Sequence, residues 1–323
     1  AIQAAYLAHY VALAESAGRP PEPERDYRLL APEEQELLAA TGALHAAADW
    51  AGLRRLWPAL TGHLWGVGDQ RGYEHADRLC LDAARALGDV ALAADILAEI
   101  GYVRKEAGDW AAAEALFVEA QAIHDAAPDA TTAPARLRRY RAEVALGMGR
   151  ADEALALLAD AERLLSTLPL EDTTLARMLL HSARMTVHHR RGELAAAEAA
   201  GRGAEQNYER LGPAATGHGY GTFRVELGDV LFRLGQADEA ARQWAALVAS
   251  REGLPHLPEH AEAQLRLAWL GAGQGEREAA AELARAARAT LARQGRLARV
   301  EEADRLIAAI EVGEPLPEFV GKQ

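Results

Sequence analysis

Residues 101–120 read GYVRKEAGDWAAAEALFVEA. A helical run reaches Gly108, and Asp109-Trp110 restarts a helix at once; glycine tolerates the left-handed turn that ends a helix, and an acidic residue favours the start of the next. After the turn, Ala113, Phe117 and Ala120 are four and seven residues apart, which puts all three on one helix face. Two small residues flank one large one, so the helix can approach its partner closely while the large residue fills the space between neighbours. Helices with such faces approach closely, and a connection this short makes them antiparallel neighbours.

The same pattern recurs outward from this stretch as Ala76/Cys80/Ala83, Ala154/Leu158/Ala161, Ala197/Gly201/Ala204, Ala240/Trp244/Leu247 and Ala279/Leu283/Ala286. The leading alanines are spaced by 37, 41, 43, 43 and 39 residues. Gly149-Arg150, Gly192-Glu193 and Gly235-Gln236 repeat the turn. Gly88-Asp89, Pro128-Asp129, Pro169, Gly212-Pro213, Pro255 and Gly295 break the chain between pairs. A period near 40 residues predicts stacked hairpins that bury their faces against neighbours. Residues 1–50 keep helical rhythm without the alanine code and are interrupted by the proline-rich 18–32, so they are expected to form an N-terminal cap or adaptor. Six hairpins are expected over 51–294, with a closing helix and tail over 295–323.

Half of the 323 residues are apolar but only 6% are aromatic, as suits helices packed through small side chains. A net charge of −13 argues against nucleic acid, whose phosphates need a basic footprint. No apolar run is long enough to span a membrane. One cysteine, Cys80, rules out an intramolecular disulfide framework and is compatible with the cytoplasm, the expected compartment. The chain opens AIQAAYLAHYVALAESAG, without Met and already in helical register, which reads as a segment of something longer.

Gly101, Gly108-Asp109-Trp110, Ala113, Phe117 and Ala120 resemble the tetratricopeptide consensus, as do Gly228, Gly235, Ala240 and Trp244. The resemblance implies an all-α, right-handed superhelical solenoid of tetratricopeptide-like antiparallel helical hairpins. The long repeats, with YLAHYVALAE, DWAGLRRLWPALTGHLW and DRLCLDAARALGD, are further similar to the C-terminal sensor arrays of bacterial STAND (NB-ARC-type) signalling ATPases. There a nucleotide-binding module precedes the array. The chain holds no G-x-x-x-x-G-K-[ST] loop, so that module is expected to lie outside it.

In tetratricopeptide arrays the first helix of each hairpin lines a concave groove. Carrying that inward phase onto this chain picks out Trp65 with Thr61; Tyr102 and Lys105 with Asp95; Arg136, Arg139 and Glu143; Ser182, Thr186 and His189; Asp229 with Thr222; and Gln264. The segment 136–141, RLRRYR, is basic within an acidic chain, and with His189 and Arg190 it could form a local positive patch for a carboxylate-rich or phosphorylated partner. A chaperone-tail clamp is not expected, because Ala98, Tyr102, Arg139 and Glu143 stand where Lys and Asn are needed.

Little in the sequence points to chemistry. His181 and His188 are seven residues apart, whereas a helical zinc pair sits at four, so no metal is expected and the cluster His188 to Arg191 reads as a helix end. Residues 217–221, GHGYG, lack the strand and Lys of a phosphate loop and read as close backbone packing or a hinge. Cys80 reads as a buried thiol, and Trp57, Trp110, Trp244 and Trp269 as core. The chain is therefore expected to be a non-catalytic, cofactor-free sensor that binds a protein or peptide, an acidic one included, or a small effector in its groove. A scaffold that assembles proteins without sensing is the alternative, and an enzyme a remote one.

Overall fold

A computed structural model describes residues 2–18, 27–67, 70–126, 131–212, 219–250, 258–293 and 296–318. The fold is an all-α array of tetratricopeptide-like hairpins. Helices α1 (Ile2–Gly18) and α2 (Glu34–Ala46), joined through a 3-10 helix Tyr27–Glu33, precede the alternating elements. These are α3 (Trp50–Val67), α4 (Gln70–Leu87), α5 (Val90–Glu106), α6 (Trp110–Ala126), α7 (Ala133–Gly147), α8 (Ala151–Leu165), α9 (Leu170–Arg190) and α10 (Leu194–Leu211). They continue as α11 (Gly219–Arg233), α12 (Ala237–Ser250), α13 (Pro258–Gly273), α14 (Arg277–Arg293) and α15 (Leu297–Val312). The chain divides into two compact units, Ala1–Ala176 and Arg177–Gln323. In the first, α3 pairs with α4, α5 with α6 and α7 with α8; in the second, α11 pairs with α12 and α13 with α14.

One turn builds most of these connections. At Gly108 the amide N–H donates to the Lys105 carbonyl and that of Asp109 to the Arg104 carbonyl, so two carbonyls left over at the helix end are satisfied together. The same bond pair closes the turns at Gly88, Gly149, Gly192, Gly235 and Gly275, each with positive φ. It also closes the turn after α2, where the left-handed residue is Ala48, with φ of 52°. An L-residue with a Cβ is strained there by about 1 kcal/mol. Ala48→Gly is therefore expected to raise stability by about 1 kcal/mol, read as a higher urea midpoint with an unchanged slope. A midpoint that stays put or falls would show that the turn carries no strain.

The alanine code packs as its spacing requires. Ala113, Phe117 and Ala120 are fully buried, and a Cβ on Gly101 would stand 2.6 Å from the Phe117 ring. Trp244 is likewise fully buried, and a Cβ on Gly228 would fall 2.1 Å from its Nε1. At Gly201 the sizes invert: Met185 and Leu227 fill the space that the glycine leaves. The last copy needs correction by one residue. Ala279 and Ala286 are exposed, and the buried set at the same spacing is Ala280, Ala284 and Ala287. In so alanine-rich a helix, several frames satisfy a small-residue code, and packing selects one.

In the first unit, α1 packs mainly on α3. Tyr10, Val11 and Ala14 join one continuous core with Leu37, Leu53, Leu97 and Phe117. Among the described residues, the second unit holds two cores. One is centred on Phe223, Leu227 and Trp244, the other on Ala284, Leu291 and Leu306. Helix α13 serves both, with Ala263 in the first and Ala261, Leu265 and Ala268 in the second. Among the described residues, no helix is long and apolar enough to cross a membrane.

Candidate ligand-binding faces

In the first unit the candidate face lies on α5 and α7. Asp89 caps α5 by accepting the Leu92 amide, and Pro134 stands in the first turn of α7, where its missing N–H costs nothing. Periodicity then aligns Asp95, Glu99 and Tyr102 on α5 with Arg136, Arg139 or Tyr140, and Glu143 on α7. Arg136 Nη2 donates to Asp95 Oδ1 at 2.7 Å, and its Nη1 lies 3.6 Å from Glu99 Oε1. Tyr73 of α4 donates to Glu99 at 2.8 Å. Lys105 Nζ donates to Glu143 Oε2 at 2.7 Å, while Arg139 takes the other oxygen of the same carboxylate.

Two tyrosines floor this cluster. Lys105 Nζ sits 4.3 Å from the Tyr102 ring centre, the Arg139 guanidinium carbon 4.4 Å from that of Tyr140, and the two rings are 5.2 Å apart. Such stacking holds cations in place without using their N–H donors. Burial pushes the Glu143 carboxyl up, but Arg139 and Lys105 outweigh it and hold the group below the usual glutamate range. Burial alone would lower Lys105; Glu143, with Tyr102 and Glu106, keeps it above its ordinary value. The basic segment is thus no open positive patch. Arg136 and Arg139 are already engaged by the chain's own carboxylates, and a ligand's acid would compete with Asp95 and Glu143.

In the second unit, His189 and Thr186 of α9 both meet Glu226 of α11. Thr186 Oγ1 donates to one carboxylate oxygen at 2.6 Å, and His189 Nδ1 lies 3.2 Å from the other. Asp229, one turn on, receives a two-pronged bond from Arg266 of α13 at 2.5 and 2.7 Å. Arg266 also donates to Glu262 at 2.8 Å, and Glu262 accepts from Arg299 of α15. Arg266 and Asp229 are 3% and 4% exposed at the side chain, so the centre of this chain of charges is buried. Burial would lower the Arg266 guanidinium, yet Asp229 and Glu262 hold it above its ordinary value.

These bonds share a spacing. Asp95 to Arg136 spans 41 residues, Lys105 to Glu143 spans 38, Thr186 to Glu226 spans 40, and Asp229 to Arg266 and Glu262 to Arg299 each span 37. Each is one repeat. Within each unit, α5 with α7 and α9 through α11 and α13 to α15, neighbouring first helices are therefore laced by complementary side chains at the same phase. Tyr102, Lys105, Arg136, Arg139 and Glu143 come together as a cluster, and Thr186, His189 and Asp229 lie along the second ladder. Ser182 and Gln264 are half-buried and Thr222 is exposed. Trp65 belongs to α3, but its side chain lies outside the described residues. Sequence reasoning passed over Glu99, Glu226, Glu262, Arg266 and Arg299. Opposite charges one repeat apart would have found them.

Other singled-out residues resolve locally. His188 Nδ1 lies 2.6 Å from Glu193, at the helix end. Cys80 is fully buried, its thiol 3.9 Å from the Leu53 carbonyl, and burial pushes it up, away from a reactive thiolate. Of the tryptophans expected in the core only Trp244 is fully buried; Trp57, Trp110 and Trp269 are half-buried against the cores, and Trp57 donates to the buried Asp77 at 2.7 Å. Residues 217 and 218 of the glycine-rich stretch lie outside the described residues.

No protein-family model matches the chain, and no curated protein matches it. Solved structures match it in fold. A Rap protein complexed with Competence and Sporulation Factor aligns over 97% of this chain and 98% of its own, with a TM-score of 0.60 and 10% identity. The Rap conjugation gene regulator of plasmid pLS20, in complex with the Phr* peptide, covers 83% of this chain and 76% of its own, at 0.58 and 13%. A STAND protein with a tetratricopeptide repeat sensor from Pyrococcus horikoshii covers 87%, at 0.60 and 12%, and the match takes in 43% of that protein's length. At these identities the likeness is one of fold.

Proposed function

We propose that this chain is a non-catalytic binding array that holds a protein or peptide segment on its first-helix faces and serves as the sensor of a STAND-type signalling regulator. The observation that carries this reading is the cluster of Tyr102, Lys105, Arg136, Arg139 and Glu143 on adjacent first helices. Tyrosine and arginine are enriched among the few residues that carry most of the energy of known interfaces. Cations stacked on rings and clamped by carboxylates are ordered in advance, so a ligand loses little further side-chain entropy on docking. Because acids and bases alternate along the face, it matches a peptide backbone, which offers both donors and acceptors, better than a purely acidic ligand. Two of the fold neighbours were solved with Competence and Sporulation Factor and with the Phr* peptide, which supports the choice of ligand class.

The test takes a peptide selected from a random library against the whole chain and measures its affinity calorimetrically. Arg136→Gln with Arg139→Gln is expected to weaken binding by about tenfold or more while the thermal midpoint stays close to that of the parent. Glutamate replacements would be the wrong probe, since they would set like charge against Asp95, Glu99 and Glu143. Unchanged affinity in the glutamine variant would overturn the reading. A phosphate-loop motif encoded ahead of Ala1 would support the regulator assignment.

A further inference from the structure

Helix α15 ends at Gly313, in the left-handed conformation with φ of 80°, and the segment Glu-Pro-Leu-Pro-Glu, 314–318, continues without regular structure. This tail folds back onto the second unit. The Trp269 indole N–H donates to the Pro317 carbonyl at 2.8 Å, across 48 residues. Leu316 packs into the apolar cluster formed by α13, α14 and α15. Beneath Pro317 lies a cavity of about 30 Å³ whose walls include Leu265, Trp269, Leu306 and the ladder residues Arg266 and Arg299. Pro317 thus shares a cavity with Arg266 and Arg299, at the end of the charge ladder on α13 and α15.

The chemistry of this contact is that of peptide recognition. Proline has no N–H, so at each proline the carbonyl is the only backbone group able to hydrogen-bond, and tryptophan is a donor only. An aromatic floor with one N–H aimed at a proline carbonyl, beside a slot for an apolar side chain, is how proline-bearing extended segments are commonly held. Apart from the Glu314 amide, which donates to the Ala309 carbonyl, the rest of the tail is open: Glu314, Pro315 and Glu318 are exposed. An apolar floor with a few convergent polar groups is also the make-up of a ligand site.

We propose that the α13–α15 face is a groove for an extended peptide with an apolar residue followed by proline, and that Leu316-Pro317 of the chain's own tail occupies it as a tethered competitor. The proposal rests on the reading of the first helices as the binding surface and names one ligand class for it. A partner segment of this chemistry binds by displacing the tail. Tethering gives the tail an effective concentration in the millimolar range, so free peptide meets a strong but removable block.

The experiment uses the full chain and a fluorescein-labelled peptide with the sequence of residues 312–318, followed by anisotropy. Leu316→Asp places a charge in the apolar slot and releases the tail. It is expected to bind the peptide at least about tenfold more tightly than the parent chain, and Trp269→Phe in the same background is expected to remove that gain by deleting the N–H. Equal affinity of parent and Leu316→Asp, or indifference to Trp269→Phe, overturns the proposal. Should Leu316→Asp fail to fold, the parent chain is read instead. Excess unlabelled peptide is expected to shift the Trp269 indole resonance saturably, and an unmoved resonance at millimolar peptide overturns the proposal equally. Tail-peptide binding without an effect of the Arg136 and Arg139 substitutions would sustain this groove and remove the reading of the first unit; the opposite pair of results would do the reverse.

Discussion

Arg266→Ala is expected to cost the second unit about 3–5 kcal/mol, because it strips the buried Asp229 carboxyl, which burial already pushes up, of the guanidinium that offsets its desolvation. The carboxylate is 4% exposed and has both oxygens on the guanidinium, so water cannot take over the lost bonds. Urea unfolding followed by far-ultraviolet dichroism measures the loss. The double substitution Asp229→Leu with Arg266→Met is expected to regain most of it, since removing both charges also removes their desolvation cost. A double variant as unstable as the single would show that the ladder contributes more than self-cancelling charge. Acid titration adds a sign. Burial pushes the Glu262 carboxyl up, but Arg266 and Arg299 outweigh it and hold the group below the usual range. A carboxylate lowered on folding stabilises at neutral pH, and that contribution disappears as pH falls below about 4. Arg266→Ala weakens the support for Glu262, so the acid limb of the stability curve is expected to be shallower in the variant than in the parent chain.

Trp244→Ala is expected to destabilise by about 3–5 kcal/mol, the range for emptying an aromatic site in a packed core. Trp244 is fully buried, donates to the Val225 carbonyl at 3.2 Å and lies against Gly228. The glycine gives the prediction a sharper form. In the parent chain Gly228→Ala drives a methyl into the indole and is expected to cost about 1–3 kcal/mol. In the Trp244→Ala background the same methyl enters a void and gains helix propensity, so its effect is expected to change sign. Additive effects of the two substitutions would show that Gly228 and Trp244 do not share a packing site.

The repeat was legible because its determinants are local. A glycine that must turn left-handed, an acidic or polar residue after it, and small residues at offsets of four and seven are each visible within one hairpin. Gly108 through Ala120 shows all of them, and the helices follow. The misread frame at Ala279 marks the limit of that code, since neighbouring alanines offer equivalent patterns until a partner helix chooses among them. Ala48 marks another: nothing in its local sequence distinguishes a strained alanine from a glycine-type turn. For the candidate faces, family phase picks out Arg136, Arg139 and Glu143 but does not say that Arg139 and Glu143 hold each other. Arg136 is met by Asp95 and Glu143 by Lys105, both from α5, so this part of their neutralisation is a property of the stack rather than of the segment. The same family phase points to Gln264 and not to Glu262 and Arg266, whose pairing depends on opposite charges one repeat away. The docking of Leu316 and Pro317 on Trp269 depends on a chain reversal after Gly313 and on a contact 48 residues distant.

Helix α13 offers Ala263 to one core and Ala261, Leu265 and Ala268 to the other. A wall shared by two rooms cannot be taken down for one of them alone. Although repeat arrays can in principle fray hairpin by hairpin from an end, the loss of either core strips one side of α13 and exposes apolar surface facing the second. The amides of α13 should therefore be among the last in the second unit to exchange with solvent, and their exchange rates should track its global unfolding rather than the fraying of its final helix.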